Sequence, residues 1–118
     1  MSDCIFCRIA AGEIPSKKIY EDDDVFAFHD IRPQAPVHFL VIPKLHIPSM
    51  AELLPEHAAL IGKVMTTAAR IARELGCTDG FRTIVNTGRV GRQEVYHLHV
   101  HMVGGPEILP GMLRRQGE

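Results

Sequence analysis

The segment His97-Leu98-His99-Val100-His101 places three imidazoles at strict two-residue spacing inside an apolar run. On a β-strand alternate side chains leave the same face. The three rings would then line up roughly 6.7 Å apart, while Leu98, Val100 and Met102 point into a core. Histidine is not a favoured strand residue, and a polar ring buried beside Val95 and Val103 costs free energy unless it finds a partner. A single strand histidine is ordinarily a packing residue. Three on one face are different, because each is partly protonated near neutral pH and charging all of them together is penalised. The pattern calls for a metal or an anion. Imidazole is a common metal ligand, but the outer two residues sit about 13 Å apart at Cα and cannot easily share one ion. A phosphate lying across His99 fits better, attacked by one imidazole nitrogen and hydrogen-bonded by its neighbours.

The strand belongs to a chain of 118 residues, enough for one domain with a core. Hydrophobic residues at 46% and charged residues at 23% argue against disorder. A net charge of −1 lacks the basic footprint of a nucleic-acid binder. No apolar run approaches the roughly 20 residues that cross a bilayer, so no membrane partner is expected. The start, Met1-Ser2-Asp3-Cys4-Ile5-Phe6-Cys7, has neither a cationic head nor a signal-like apolar segment. Together with three cysteines that cannot all pair, this makes the expected location cytoplasmic with reduced thiols.

Along the chain, Cys4 to Ala11 reads as a short helix stopped by Gly12 and Pro15. Lys18 to Glu21 and Val25 to His29 read as a hairpin around the turn Asp22-Asp23-Asp24. Two prolines make 30–36 a loop. Val37 to Ile42 is a continuous apolar run around His38, the pattern of a strand covered on both faces. Ser49 and Glu52 have capping-box spacing, and from Pro55 to Leu75 the apolar residues recur at helical spacing until Gly76. Phe81 to Asn86 and Glu94 to Val103 read as strands joined by a loop containing Gly88 and Gly91. This order predicts an α+β domain: an antiparallel sheet of about five strands with one long helix, a short N-terminal helix, and the helices on one side. Gly62 and the broad apolar stripe of the long helix suit a two-fold interface, so a homodimer is expected. The tail over 104–118 reads as loosely ordered or packed on a partner chain. Cys77 reads as a small apolar residue, and His29 and His57 as surface residues.

The stretch from His97 to Val103 resembles the His-X-His-X-His-X-X signature of the histidine triad superfamily. Asp30 to Lys44 is similar to the nucleotide-binding segment of its Hint-like branch, the purine nucleoside phosphoramidases. Val85-Asn86-Thr87-Gly88 and Gly91-Arg92-Gln93-Glu94-Val95-Tyr96 resemble that branch's loop before the triad. The resemblance covers almost the whole chain as a single domain. It implies that His99 is a nucleophile attacking the α-phosphorus of a purine nucleoside phosphoramidate or related conjugate, through a covalent nucleotidyl-histidine that water then cleaves. It implies that His101 contacts the phosphate or leaving group, and that His38 supports the triad from a second strand. Asn86, Gln93 and the backbone around Glu94 would hold phosphate oxygens, with Val95 beside them. Asp30 would accept from the ribose hydroxyls next to Ile31. Ile5, Phe6, Ile9 and Phe28 would form the purine slot, flanked by Leu40. Two positions depart from the family pattern: Gly91-Arg92 stands where relatives carry Gly-Gly, and Pro106 where they often carry a basic residue.

Cys4 and Cys7 have the spacing of half a tetrahedral zinc site. The resemblance implies His46 and His97 as the other two ligands of a structural zinc, in which case His97 is a ligand and not a catalytic base. No cofactor is expected to be needed for the chemistry itself. A nucleotide-binding regulator with incidental turnover is the alternative reading. An intact His99 weighs against it, since binding alone needs no nucleophile.

Overall fold

A computed structural model describes residues 3–113 of the chain. The elements run α1 (Ile5–Ala10), β1 (Lys18–Glu21), β2 (Val25–His29), β3 (Val37–Pro43), α2 (Ala58–Glu74), β4 (Arg82–Ile84) and β5 (Val100–Gly104), with two 3₁₀ turns at Met50–Glu52 and Pro55–His57. The five strands form one antiparallel sheet in the order β1-β2-β3-β5-β4. The expected α+β class and strand number hold.

Strand parity divides the sheet into two faces. Val25 and Ala27 of β2, Phe39 and Val41 of β3, and Val100 and Met102 of β5 pack with Val64, Ala68, Ile71 and Ala72 of α2. The residues between them on β2 and β3, Phe26, Phe28, Leu40 and Ile42, form a second cluster with Phe6 and Ile9 of α1. The two helices therefore cover opposite faces, which corrects the expectation that both lie on one side. The reason is the composition of β2 and β3: residues 25–28 and 39–43 are apolar at every position, so each face must be removed from water.

Local chemistry sets the element ends. Cys4 caps α1, its sulfur accepting from the Cys7 N–H at 3.4 Å. Ser49 caps a 3₁₀ turn, accepting from the Ala51 N–H and donating to the Glu52 carboxylate. The long helix starts at Ala58, three residues later than the spacing predicts, because Pro55 opens a tighter turn in which His57 Nδ1 accepts from Leu54 N–H. His57 and His29 are half-buried and not fully on the surface.

The largest departure concerns the histidine strand. Pairing in β5 begins only at Val100, and in β4 it covers three residues. Residues 94–99 approach the sheet as irregular chain. Arg92 adopts a left-handed φ of 64°, and Gly91 lies where a Cβ would sit 2.4 Å from the Thr87 carbonyl oxygen. That tight turn is incompatible with a continuous hairpin. Instead, Leu98 N–H donates to Ile47 O at 2.7 Å. His101 is thus the one triad histidine on the strand, although the His99 ring still stands beside it at 5.0 Å.

Among the described residues no helix is long and apolar enough to cross a membrane. Tail residues 114–118 lie outside the described part. Cys77 is buried in the helix-side cluster as expected, with its sulfur 2.7 Å from where a Cβ at Gly104 would stand. Gly104→Ala should lower stability by about 1–3 kcal/mol through overpacking. Urea denaturation would show it, with part of the loss recovered in a Cys77→Ala background.

Candidate active site and metal centre

The histidines form two hydrogen-bonded groups, each given its direction by a backbone group. Gln34 N–H donates to His38 Nδ1 at 3.0 Å. A neutral His38 then carries its proton on Nε2, which lies 3.1 Å from His101 Nδ1 and 3.5 Å from Asp30 Oδ2. His101 Nδ1 must accept, leaving His101 Nε2 as an N–H donor. In the second group, His99 Nδ1 lies 2.8 Å from the His97 carbonyl oxygen. A carbonyl only accepts, so that nitrogen is the protonated one and the lone pair of His99 is on Nε2. The His99 and His101 rings are 5.0 Å apart. A bare nitrogen and an N–H donor therefore stand side by side.

Burial keeps this network neutral. His38, His97 and His99 all lie below the ordinary imidazole range, chiefly through loss of solvent. His101 is pushed down to about 4 by burial first and then by its neighbours His99 and His38, with Asp30 opposing. An uncharged imidazole keeps its lone pair and so remains a nucleophile.

The residues expected around a nucleotide divide into groups. Phe6, Ile9, Phe28 and Leu40 come together in the apolar cluster opposite α2, with Val95 packed against it. Phe6 stands edge-on to Phe28, centroids 5.6 Å apart, and to His99 at 5.0 Å. Ile5 and Ile31 are exposed, 45% and 86% respectively, with unsatisfied apolar surface. Asp30 Oδ1 accepts from Arg32 N–H at 2.7 Å, which fixes the carboxylate at the start of the loop. Asn86 lines a cavity of about 380 Å³ with His38 and His101. Gln93 departs from expectation. Both amide protons are used, on Pro48 O and Val95 O, while its oxygen accepts from Gly88 N–H. Its side chain thus shapes the loop and has no amide proton left for a phosphate. Glu94 is exposed.

Two contributors were not singled out from sequence. Pro43 O accepts from His97 Nε2 at 2.8 Å, and Gln34 acts through its backbone N–H. Neither role depends on a side chain, so residue type carries no signal for it. Arg82 also lines the cavity beside His101, together with Leu109 to Met112. Only the β4–β5 register, which pairs Ile84 with His101, places it there.

The His97 ring makes its hydrogen bonds and ligand contacts apart from the other two rings. It is fully buried, and with Nε2 donating to Pro43 its free lone pair is on Nδ1. That atom lies 3.3 Å from Cys4 Sγ, 3.4 Å from Cys7 Sγ and 3.3 Å from His46 Nδ1, while Cys7 Sγ is 3.3 Å from His46 Nδ1. Ligands at ordinary zinc bond lengths and tetrahedral angles would be roughly 3.5 Å apart. The four ligand atoms all lie within 4.8 Å of one another. The donor set, spacing and tautomer therefore suit zinc. A second group, Asp30, His38 and His101, is as compact, but Nε2 of His38 carries the proton and would have to lose it to ligate.

The HIT domain family matches residues 11–108. The chain belongs to this family. A purine nucleoside phosphoramidase from Escherichia coli (strain K12) is 47% identical over 116 residues, 98% of this chain and 97% of that protein. The solved structure of a histidine triad protein from Clostridium difficile matches with a TM-score of 0.90 and 46% identity, covering 96% of this chain and 98% of that one. A zinc-bound histidine triad family protein from Mycobacterium smegmatis gives 0.74 and 37%, covering 98% and 78%. This HIT protein is a hydrolase.

Folding lowers the pKa of His101 from 6.5 to about 4. The unfolded chain therefore binds more protons between those values. The stability linked to a neutral His101 is complete above pH 6.5 and lost as pH falls toward 4. Urea midpoints should drop from pH 7 to pH 5, and His101→Gln should shrink that drop, with His38, His97 and His99 supplying the remainder.

Proposed function

We propose that this hydrolase cleaves the bond between the α-phosphorus and nitrogen in adenosine-type purine nucleoside phosphoramidates or related conjugates, releasing the nucleoside monophosphate. The observation that carries this reading is the His99 Nδ1 to His97 carbonyl bond of 2.8 Å, which bares Nε2 beside the His101 donor.

His99 Nε2 attacks the phosphorus, forming a P–N bond to the imidazole as the bond to the leaving amine breaks. The leaving amine takes its proton from solvent while His101 Nε2–H hydrogen-bonds it, and His38 Nε2–H steadies the His101 ring from behind. Water then attacks the nucleotidyl-histidine, losing a proton to solvent as the P–N bond breaks and its electron pair returns to His99 Nε2. Splitting displacement into two steps in this way is what a nucleophilic side chain contributes. Asp30 would accept from the ribose hydroxyls, and the cluster of Phe6, Ile9, Phe28 and Leu40, extended by exposed Ile5 and Ile31, would take the purine. The phosphate would lie against Asn86 and the loop at Glu94. The name of the E. coli relative supports this substrate class.

Cys4, Cys7, His46 and His97 would hold a structural zinc, a reading supported by the zinc-bound relative. The metal would supply cross-linking of the N-terminal segment to the sheet, and no chemical step uses it. Ala58, Ala59, Gly62, Met65 and Thr66 leave a small-residue, largely apolar face of α2 exposed, which would pair with a second copy in a cytoplasmic homodimer.

Incubation with adenosine 5′-phosphoramidate should release AMP, and His99→Ala should slow this by about 10³-fold or more. Equal release by both proteins would exclude His99 as the nucleophile. AMP binding without turnover would favour the regulator instead. Elemental analysis of protein purified without chelator should give one zinc per chain.

A further inference from the structure

We infer that the Cys4–Cys7–His46–His97 centre is the positioning device of the catalytic site, holding both one wall of the base slot and the proton arrangement of His99. This rests on the reading of the site as a nucleotide site. Two features carry it.

The first is the sequence position of the base wall. Helix α1 has six residues, too few to persist on its own helical hydrogen bonds. Phe6 lies between the two cysteines, so the atoms that would grip the metal flank the ring that would face the base. That ring is edge-on to both His97, at 6.1 Å, and His99, at 5.0 Å. Apart from the centre, α1 meets the sheet through Phe6 and Ile9 of a single cluster, with Ala10 packed against it. Release of Cys4 and Cys7 would leave this short helix held by those three small contacts.

The second is the backbone of His97. Its ring is gripped at both nitrogens, by the centre at Nδ1 and by Pro43 O at Nε2. Its own carbonyl then fixes the proton on His99 Nδ1. The residue sits in chain without strand pairing, since β5 starts at Val100. Its carbonyl shares a peptide plane with Leu98 N–H, which donates to Ile47 O at 2.7 Å beside the ligand His46, so the ring's grip and this backbone bond next to the centre hold the carbonyl together. If the carbonyl moves, nothing keeps the His99 proton on Nδ1, and a proton on Nε2 abolishes the nucleophile. Cys4, Cys7 and His46 are positioning residues in this scheme, since none touches the reacting atoms.

The test compares zinc-loaded with chelator-treated full-length protein by two readouts other than turnover. Nitrogen-15 shifts of the His99 ring should report a proton on Nδ1 in the loaded protein and a mixture of tautomers in the stripped one. Calorimetric affinity for AMP should fall about tenfold or more on stripping. Unchanged nitrogen shifts and unchanged AMP affinity in a stripped, cooperatively folded chain would overturn the inference, as would the absence of stoichiometric zinc in the native protein. Should stripping unfold the chain, His46→Gln removes the exposed ligand while leaving every residue of α1 and His97 itself unchanged. It should move the His99 shifts in the same direction, and unmoved shifts would again overturn the proposal. Failure of the loaded protein to bind AMP would count against the nucleotide reading, while the His99 shifts would still decide this one.

Discussion

The peptide unit of His97 faces two ways, and the geometry of the site follows from it. Its ring turns into a pocket of two sulfurs and a second imidazole, anchored from behind by a proline carbonyl. Its carbonyl turns toward the next histidine, His99, and determines which nitrogen of that ring is bare. A side chain and a main-chain oxygen of one residue thus connect a candidate metal centre to a candidate nucleophile with no intervening group. The same economy holds at the far end, where a backbone N–H orders His38 and His38 orders His101. The network is directional because each terminus is an obligate donor or acceptor, whereas histidines alone could adopt either tautomer.

The sheet makes this arrangement affordable. Its helix-facing side is an ordinary core of small and branched residues under α2. The opposite side carries larger rings and is closed only by a six-residue helix and loops. A ligand can reach that side without opening the main core. Burial by the aromatic residues there also lowers the imidazole pKa values, so the packing that would shape a base slot also keeps the nucleophile uncharged.

Much of this was legible in the sequence, and the failures have physical causes. The hairpin around 22–24 and the apolar run of 37–42 revealed strands, and the latter its double coverage, since burial acts on side chains and leaves its trace in residue type. The hairpin of 82–103 was overextended. Arg92 takes a left-handed turn that its side chain does not announce, and the Gly91 contact with Thr87 is set by a fold not yet formed when the chain is read locally. The metal ligands were legible only in part: Cys4 and Cys7 by spacing, His46 and His97 by resemblance, because the latter pair approaches from distant chain. Gln93 was expected at the phosphate from resemblance, and its hydrogen bonds instead tie it to the loop. Main-chain participants such as Pro43 O could not be seen, as every residue has a carbonyl.

Strand parity has a consequence for how variation in this protein would be distributed. Along β3, odd positions such as Phe39 and Val41 face α2, while even positions such as His38 and Leu40 face the histidine side. Along β5 the parity is reversed, with Val100 and Met102 under the helix and His101 on the other face. Neighbouring codons in these strands thus answer to different selective pressures, one for folded abundance and the next for turnover. A substitution map scored separately for protein level and for activity would alternate with a period of two, and the two traces would run out of phase.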